Sequence, residues 1–255
     1  MTRGTEQQGP PEGCVVGIET SWRLGSLALA IDGSVVARRF LTKPSAHAAG
    51  LIPALREVLD EVKAGVGDLA GVVVGAGPGS FTGVRIGAAA AKGLAASLRV
   101  PLYATSSLRA ASFTVESLGA EAALPVPFAG TGPDTEASPP PLRGEEREVR
   151  YVVLDARQGR VYGACYDVRA DGPVEVVQPH GGTILQVLNR RPPRDTVFVG
   201  DGAVAHSALI RAAGYTLCPY PAGVPVADAA LLCCSWAAVD AAHWEPEYLR
   251  AWRPG

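Results

Sequence analysis

One structural plan is written twice along this chain. The stretches VGIETSWRLGSLALAIDG (16–33) and VVLDARQGRVYGACYDVRADG (152–172) each run an apolar strand into a carboxylate, Glu19 or Asp155. A short polar turn, an alternating strand and an Asp-Gly pair follow in both. Further on, VVVGAGPGS (72–80) is echoed by VFVGDGAVA (197–205), each ahead of a helical pattern. Two echoes in the same order point to a duplicated α/β unit. The 255 residues are enough for one large domain or two small ones with a real core.

Local patterns fill in the first copy. Residues 15–19 and 24–31 read as strands, and Asp32-Gly33 turns the chain into a third strand over 34–40. Over 46–63, Leu51, Ile52, Leu55, Val58, Leu59 and Val62 recur at helical spacing, with charged residues opposite. A buried strand over 71–76, a helix over 83–98, a strand over 101–105 and a helix from Ser106 or Ser107 to Leu118 complete it. The pattern then breaks in AGTGPDTEASPPPLRGEERE (129–148), rich in Pro, Gly and acidic residues. The expected layout is a flexible tail over 1–13, an N-terminal lobe over 14–125 and a flexible insertion over 126–148. A C-terminal lobe takes 149–255, its last helix placed to pack back on the first lobe. A duplicated meander with flanking helices is the plan of the actin, sugar kinase and Hsp70 architecture.

Between the strand over 71–76 and the helix over 83–98 lies a crowded turn: Gly75, Gly77, Pro78, Gly79, Ser80, Phe81, Thr82 and Gly83. Such crowding signals close backbone approach. The dinucleotide fingerprint G-x-G-x-x-G fails, because its third position falls on Ser80 or Thr82. A phosphate loop needs Gly-Lys, and the nearby Lys92 follows Ala91. The nucleophile elbow G-x-S-x-G is missing, since Gly79 directly precedes Ser80. Two readings stay open. An anion could sit on the helix N-terminus capped by Ser80 or Thr82. Alternatively, Gly83, Gly87, Ala88, Ala91 and Ala95 form a small-residue face that admits a second helix.

Other chemistry finds little footing. No two of His47, His180, His206 and His243 stand at helical ligand spacing, and four residues after His47 comes Leu51. Nothing marks a Ser or Cys triad, although triads assemble from distant positions. Trp22 occupies the turn after Glu19 where a nucleotide phosphate would need backbone access, so an intact ATP site is not expected. A net charge of −2 gives no basic footprint for stand-alone nucleic-acid binding. The five cysteines show no C-x-x-C and read as reduced, mostly buried thiols. With no signal peptide pattern and no apolar run of membrane length, a cytoplasmic protein is expected.

Taken together, GIETS, GSLALAIDG, GPGSFTGVRIGAAAAKGLA, SSLRA, LDARQGRVYGACY and PEYLR are similar to the TsaB family, over about 14–125 and 149–252. That family is the inactive paralogue of the transferase subunit TsaD and was once called glycoprotease-like. The resemblance implies an actin-like (ASKHA) duplicated α/β fold, two lobes with mixed sheets and flanking helices. It implies a non-catalytic subunit for threonylcarbamoylation of the adenosine next to the tRNA anticodon, serving as dimerisation partner, scaffold and activator of TsaD. The ATPase subunit TsaE joins the complex, tRNA is engaged indirectly, and the chain alone homodimerises through the same helical surface. No cofactor is expected on this chain by itself, and a nucleotide at the TsaD interface is left open.

The active paralogue carries H-x-x-x-H on its first helix, matched here by His47 and Leu51, so one ligand is lost. The helices over 46–63 and 83–98 correspond to the family's dimer-forming elements. This makes Leu51, Leu55, Val58, Val84, Ala88, Lys92 and Ala95 the contact candidates, with Arg85 as polar anchor. Glu19 and Asp155 become vestigial cleft carboxylates, Glu19 standing where many members carry Asp. The alternative is an enzyme of the same fold, either a nucleotide-dependent transferase or a glycoprotease-like peptidase. A third reading gives Arg85, Lys92 and Arg99 direct contact with tRNA.

Overall fold

The chain opens with the two-residue strand β1 (Glu6–Gln7) and enters a meander of β2 (Cys14–Glu19), β3 (Gly25–Ile31) and β4 (Ser34–Leu41). The expected tail over 1–13 thus contains a strand. The computed structural model describes residues 6–7, 12–42, 47–119, 124–125, 141–218, 222–233 and 236–247. Most of the expected insertion, 126–140, lies outside the described residues, and its end is ordered: Arg147 and Glu148 already belong to a strand.

After the meander come α1 (His47–Glu61), β5 (Leu69–Gly75), α2 (Phe81–Leu98), β6 (Leu102–Thr105), α3 (Ser107–Ser112) and α4 (Thr114–Leu118). The single helix expected up to Leu118 is therefore two, broken at Phe113. The second half runs β7 (Arg147–Asp155), β8 (Val161–Arg169), β9 (Gly172–Gly182), α5 (Ile184–Asn189), β10 (Val197–Val199), α6 (Asp201–Ala205), α7 (Ser207–Ala212) and β11 (Thr216–Leu217). It closes with α8 (Ala227–Leu232) and β12 (Trp236–Val239).

These elements divide into two compact units, one up to Ala110 together with Pro225–Glu247, the other Ala111–Val224. The first holds a sheet in the order β1-β12-β6-β5-β2-β3-β4, the second a sheet in the order β11-β10-β7-β8-β9. Without β1 and β12 the two orders are the same: meander strands antiparallel, then two strands parallel to the first of them. The duplicated, actin-like α/β plan read from the sequence echoes is the one observed. Asp32-Gly33 joins β3 to β4, and Ala170-Asp171 joins β8 to β9, whose first residue is Gly172. Asp32 and Gly33 have φ of 48° and 78°, as a two-residue hairpin turn requires.

In the first unit, Val16, Ile18, Leu27 and Leu29 pack under Leu51, Leu55, Val58, Ala91 and Ala95 of α1 and α2. Gly17, pointing to the other face of the sheet, leaves room for Leu231 of α8: a Cβ there would lie 2.7 Å from its Cγ. In the second unit Tyr151 stacks on Phe198 with centroids 5.3 Å apart, and Tyr215 meets Phe198 at a tilt with centroids 5.2 Å apart. Beside them Arg150, buried, grips Glu116 through Nη1 and Nη2 at 2.7 and 2.9 Å, Glu148 through Nε at 2.5 Å, and the Ser112 carbonyl at 2.8 Å. Partnering of this kind is what makes a buried guanidinium tolerable.

Candidate functional site

β2 ends in a carboxylate with no exposure to solvent. Glu19 Oε1 accepts the Ser21 N–H at 2.6 Å, and Ser107 Oγ donates to Oε2 at 2.7 Å. Burial pushes the Glu19 carboxyl above its ordinary range, while the Ser21 and Ser107 hydrogen bonds act in the opposite direction. Ser107 ties this carboxylate to the glycine loop, because its Oγ accepts the Gly77 N–H at 3.1 Å and its own N–H reaches the Gly77 carbonyl at 2.8 Å.

The glycines have definite neighbours. A Cβ at Gly75 would lie 2.0 Å from Glu19 Oε2, at Gly79 2.2 Å from the Ser21 carbonyl oxygen, and at Gly83 2.0 Å from the Thr20 carbonyl oxygen. At Gly87 it would lie 2.4 Å from Thr20 Oγ1. Hydrogen bonds close the contact: Ser80 N to Ser21 O at 2.6 Å, and Thr20 Oγ1 to Gly83 O at 2.7 Å. Ser80 caps α2 by accepting the Gly83 N–H at 3.3 Å. The loop therefore approaches the chain's own β2–β3 turn. The small-residue face of Gly83, Gly87, Ala88, Ala91 and Ala95 is buried in the first unit and is not clearance for a partner helix. The sequence did carry a signal for this, in the Thr20-Ser21 and Ser106-Ser107 pairs, but not for which backbone they bind.

The contact candidates on α1 and α2 are corrected in the same way. Leu51, Leu55 and Val58, and likewise Val84, Ala88 and Ala95, have 0–5 % exposure and form core. An apolar stripe at helical spacing covers the helix's own sheet first. The outward faces carry other residues. Ile52 is 46 % and Phe81 57 % exposed, and the exposed Arg85 lays its guanidinium 3.7 Å from the Phe81 ring centroid. Lys92 is half-buried, with Ala89, Gly93 and Ala96 exposed around it. Arg99, in left-handed conformation, caps α2. His47, the first residue of α1, is buried against Gly25, and burial lowers its pKa, which keeps it neutral.

Asp155 belongs to the second unit and holds the position equivalent to Glu19. It too accepts the N–H two residues on, from Arg157 at 2.8 Å, but it is exposed. Its N–H donates to Asp201 Oδ1 at 2.8 Å, and Gly200 and Gly202 leave room for the Val153–Leu154 backbone. In the first unit the glycines after β5 lie against the β2–β3 turn, and in the second those after β10 lie against the end of β7.

The free thiols of Cys165 and Cys218 are pushed up to about 12 by burial; Cys234 lies outside the described residues. His180 bonds Tyr151 at 2.7 Å, and His243 bonds Asp240 at 2.5 Å. In the first unit Asp228 of α8, fully buried, meets Arg38 Nε at 2.7 Å. Among the described residues no helix is long and apolar enough to cross a membrane.

Comparison with known proteins bears on the same elements. The family model described as TsaD, tRNA N6-adenosine threonylcarbamoyltransferase, matches residues 42–129, which span α1, the glycine loop and α2. The tRNA threonylcarbamoyladenosine biosynthesis protein TsaB of Bacillus subtilis is 30% identical over 199 residues, 77% of this chain and 74% of that protein. Its Escherichia coli namesake is 28% identical over 251 residues, covering 94% and 96%. Among solved structures, a Pseudomonas aeruginosa protein with similarity to peptidase YEAZ superposes with a TM-score of 0.69. It is 22% identical, covering 93% of this chain and all of its own (100%), and it shares the fold.

Proposed function

The chain belongs to the TsaB family of tRNA threonylcarbamoyladenosine biosynthesis proteins, and from that premise we propose that it is the non-catalytic partner of a TsaD subunit, held through the outward faces of α1 and α2. The observation that carries this reading is the state of the glycine loop. A phosphate or substrate would have to reach the loop where the chain's own Thr20 and Ser21 carbonyls lie against it, and the nearest carboxylate, Glu19, is buried and hydrogen-bonded. What α1 and α2 present outward is a mixed surface: Ile52, Phe81 and Arg85, with small residues at Ala89, Gly93 and Ala96, beside the exposed charges Arg56, Glu57, Asp60 and Glu61. Exposed aromatic and arginine anchors among small residues are what a helical partner packs against.

As a scaffold and activator, this chain supplies no reacting group. The transferase chemistry lies on the partner, TsaE joins the assembled complex, and homodimers use the same two helices. The isolated chain has no need of a cofactor, and calorimetry with ATP and magnesium is expected to give no heat of binding. Submicromolar binding with turnover would favour the nucleotide-dependent enzyme reading instead.

The decisive experiment is co-expression with TsaD followed by gel filtration. Ala88 is unsuitable for charge insertion, since it is buried in the first unit. Phe81→Asp and Ile52→Asp change exposed positions and are expected to fold, which thermal melting checks. Each is expected to weaken the heterodimer at least tenfold, because central aromatic and aliphatic anchors carry about 2 kcal/mol or more. An undiminished heterodimer in the double variant would sink the interface assignment.

A further inference from the structure

The second unit carries an arginine-rich turn. α5 ends at Asn189, and the chain turns through Arg190, Arg191, Pro192, Pro193 and Arg194. Arg191 sits in the left-handed region at φ 52°, and Tyr215 Oη donates to the Pro192 carbonyl at 2.9 Å. This bond holds the turn against the end of α7, where Gly214 N bonds the Arg211 carbonyl at 2.9 Å. Arg194 Nη1 lies 3.6 Å from the position a Cβ would take at Gly214. Two prolines and a buried tyrosine hydroxyl fix the turn, so little conformational freedom is left in its backbone.

Arg190, Arg191, Arg194 and Arg211 are all exposed, and none joins an ion pair among the described residues. From Thr183 to Leu217 the acidic residues are Asp195, exposed, and Asp201, buried and bonded to the Asp155 N–H. A helix C-terminus attracts arginine through its dipole, which accounts for Arg190 and Arg211 but not for Arg191 and Arg194. Arginines on this turn and at the adjoining end of α7, without ion-pair partners among the described residues, make a local positive field for a polyanion on a chain of net charge −2.

We propose that Arg190, Arg191, Arg194 and Arg211 form a phosphate-contacting surface through which this chain holds the backbone of the tRNA being modified. The proposal rests on the family reading above and adds to it a direct contact that the acidic overall charge conceals. It replaces the contact through Arg85, Lys92 and Arg99: Arg85 is stacked on Phe81 and Lys92 is half-buried. Guanidinium groups spread over a turn and a neighbouring helix end suit phosphates, which position a nucleic acid without reading its bases.

The test titrates fluorescein-labelled tRNA with the full chain, alone and with TsaD, from about 20 to 200 mM KCl. Each phosphate contact contributes roughly 0.7–0.9 to the slope of log K against log salt. Changing all four arginines to glutamine is therefore expected to reduce the slope by about 3 and the affinity at least tenfold. The four lysine replacements should keep most of both, because charge and not base geometry is engaged. Thermal melting confirms that the variants fold. An unchanged slope in the glutamine variant, or a lysine variant as weak as it, overturns the proposal. Gel filtration of the same samples reads TsaD binding separately. If the heterodimer fails to form, the scaffold reading falls while the slope of the chain alone still decides the arginine surface.

Discussion

Gly83 and Gly93 share α2 but answer to different constraints. At Gly93 an added Cβ meets nothing within 4 Å and the residue is exposed, so Gly93→Ala is expected to stabilise the chain by about 0.5–1 kcal/mol through helix propensity and a less disordered unfolded state. At Gly83 the same Cβ would press to 2.0 Å from a backbone oxygen, Thr20 O, which is fixed by its neighbours' hydrogen bonds. There Gly83→Ala should destabilise by on the order of 3 kcal/mol despite the gain in propensity. Urea midpoints of the two variants decide it, and equal shifts would mean that the loop is not held against the β2–β3 turn. From the sequence, the glycine run could be recognised as a close approach but not assigned to a neighbour. The partner backbone lies more than fifty residues earlier, |i−j| being 63 for the Thr20–Gly83 bond, and no local rule joins the two.

Among the elements, periodicity located the strands and helices of the first half, and it also named a stripe that packs: Leu51, Leu55 and Val58 were legible as an apolar face but were read as a docking surface, and they form core. The pairing of α8 with β4 was not legible at all. Asp228 opens α8 among apolar residues, and only the folded chain shows Arg38 beside it. Burial pushes the Asp228 carboxyl from 3.8 to about 6, with Arg38 opposing. Between those values the native chain keeps a proton that the unfolded chain has released, so this group makes stability fall as pH rises through that window. The full difference corresponds to about 3 kcal/mol. Asp228→Asn removes the titration, and Arg38, about two-fifths exposed, can turn to water. The wild-type chain should therefore lose stability relative to Asp228→Asn between pH 4 and 7, as read from urea melts at each pH. Parallel pH profiles would exclude this carboxyl as the source. His47 acts with the opposite sign: burial holds its folded pKa down, so the stability it contributes is lost as pH falls through the window below its ordinary 6.5. Comparing variant with wild type cancels it.

For the molecule as a whole, the internal echoes gave the duplication, and the two matching strand orders follow from it. Where the halves divide was less legible, because the chain returns: Pro225–Glu247 belongs with the first unit although it follows the whole second meander. Nothing local in VADAALL or WAAV says which sheet they join. Their burial there is extensive. Trp236 is 1 % exposed and donates Nε1 to Ala230 O at 2.6 Å, β12 pairs with β6, and Ala227 N bonds Ser26 Oγ at 2.9 Å. A buried tryptophan alone removes roughly 150–250 Å² from water, about 4–6 kcal/mol at roughly 25 cal/mol per Å². With Leu231 and the alanines of α8 added, the loss reaches the whole stability of an ordinary domain, about 5–15 kcal/mol. Ending the chain at Val224 should therefore unfold the first unit. The second keeps β7, β8, β9, β10 and β11, with their helices, inside 147–217. Hydrogen exchange read by mass spectrometry is expected to show lost protection in β2, β3, β5 and β6 of the truncated chain and retained protection in β7 and β8. Full protection of β2 and β3 after truncation would mean that the first sheet stands without α8 and β12. Loss throughout would mean that the second unit depends on the first for its own stability.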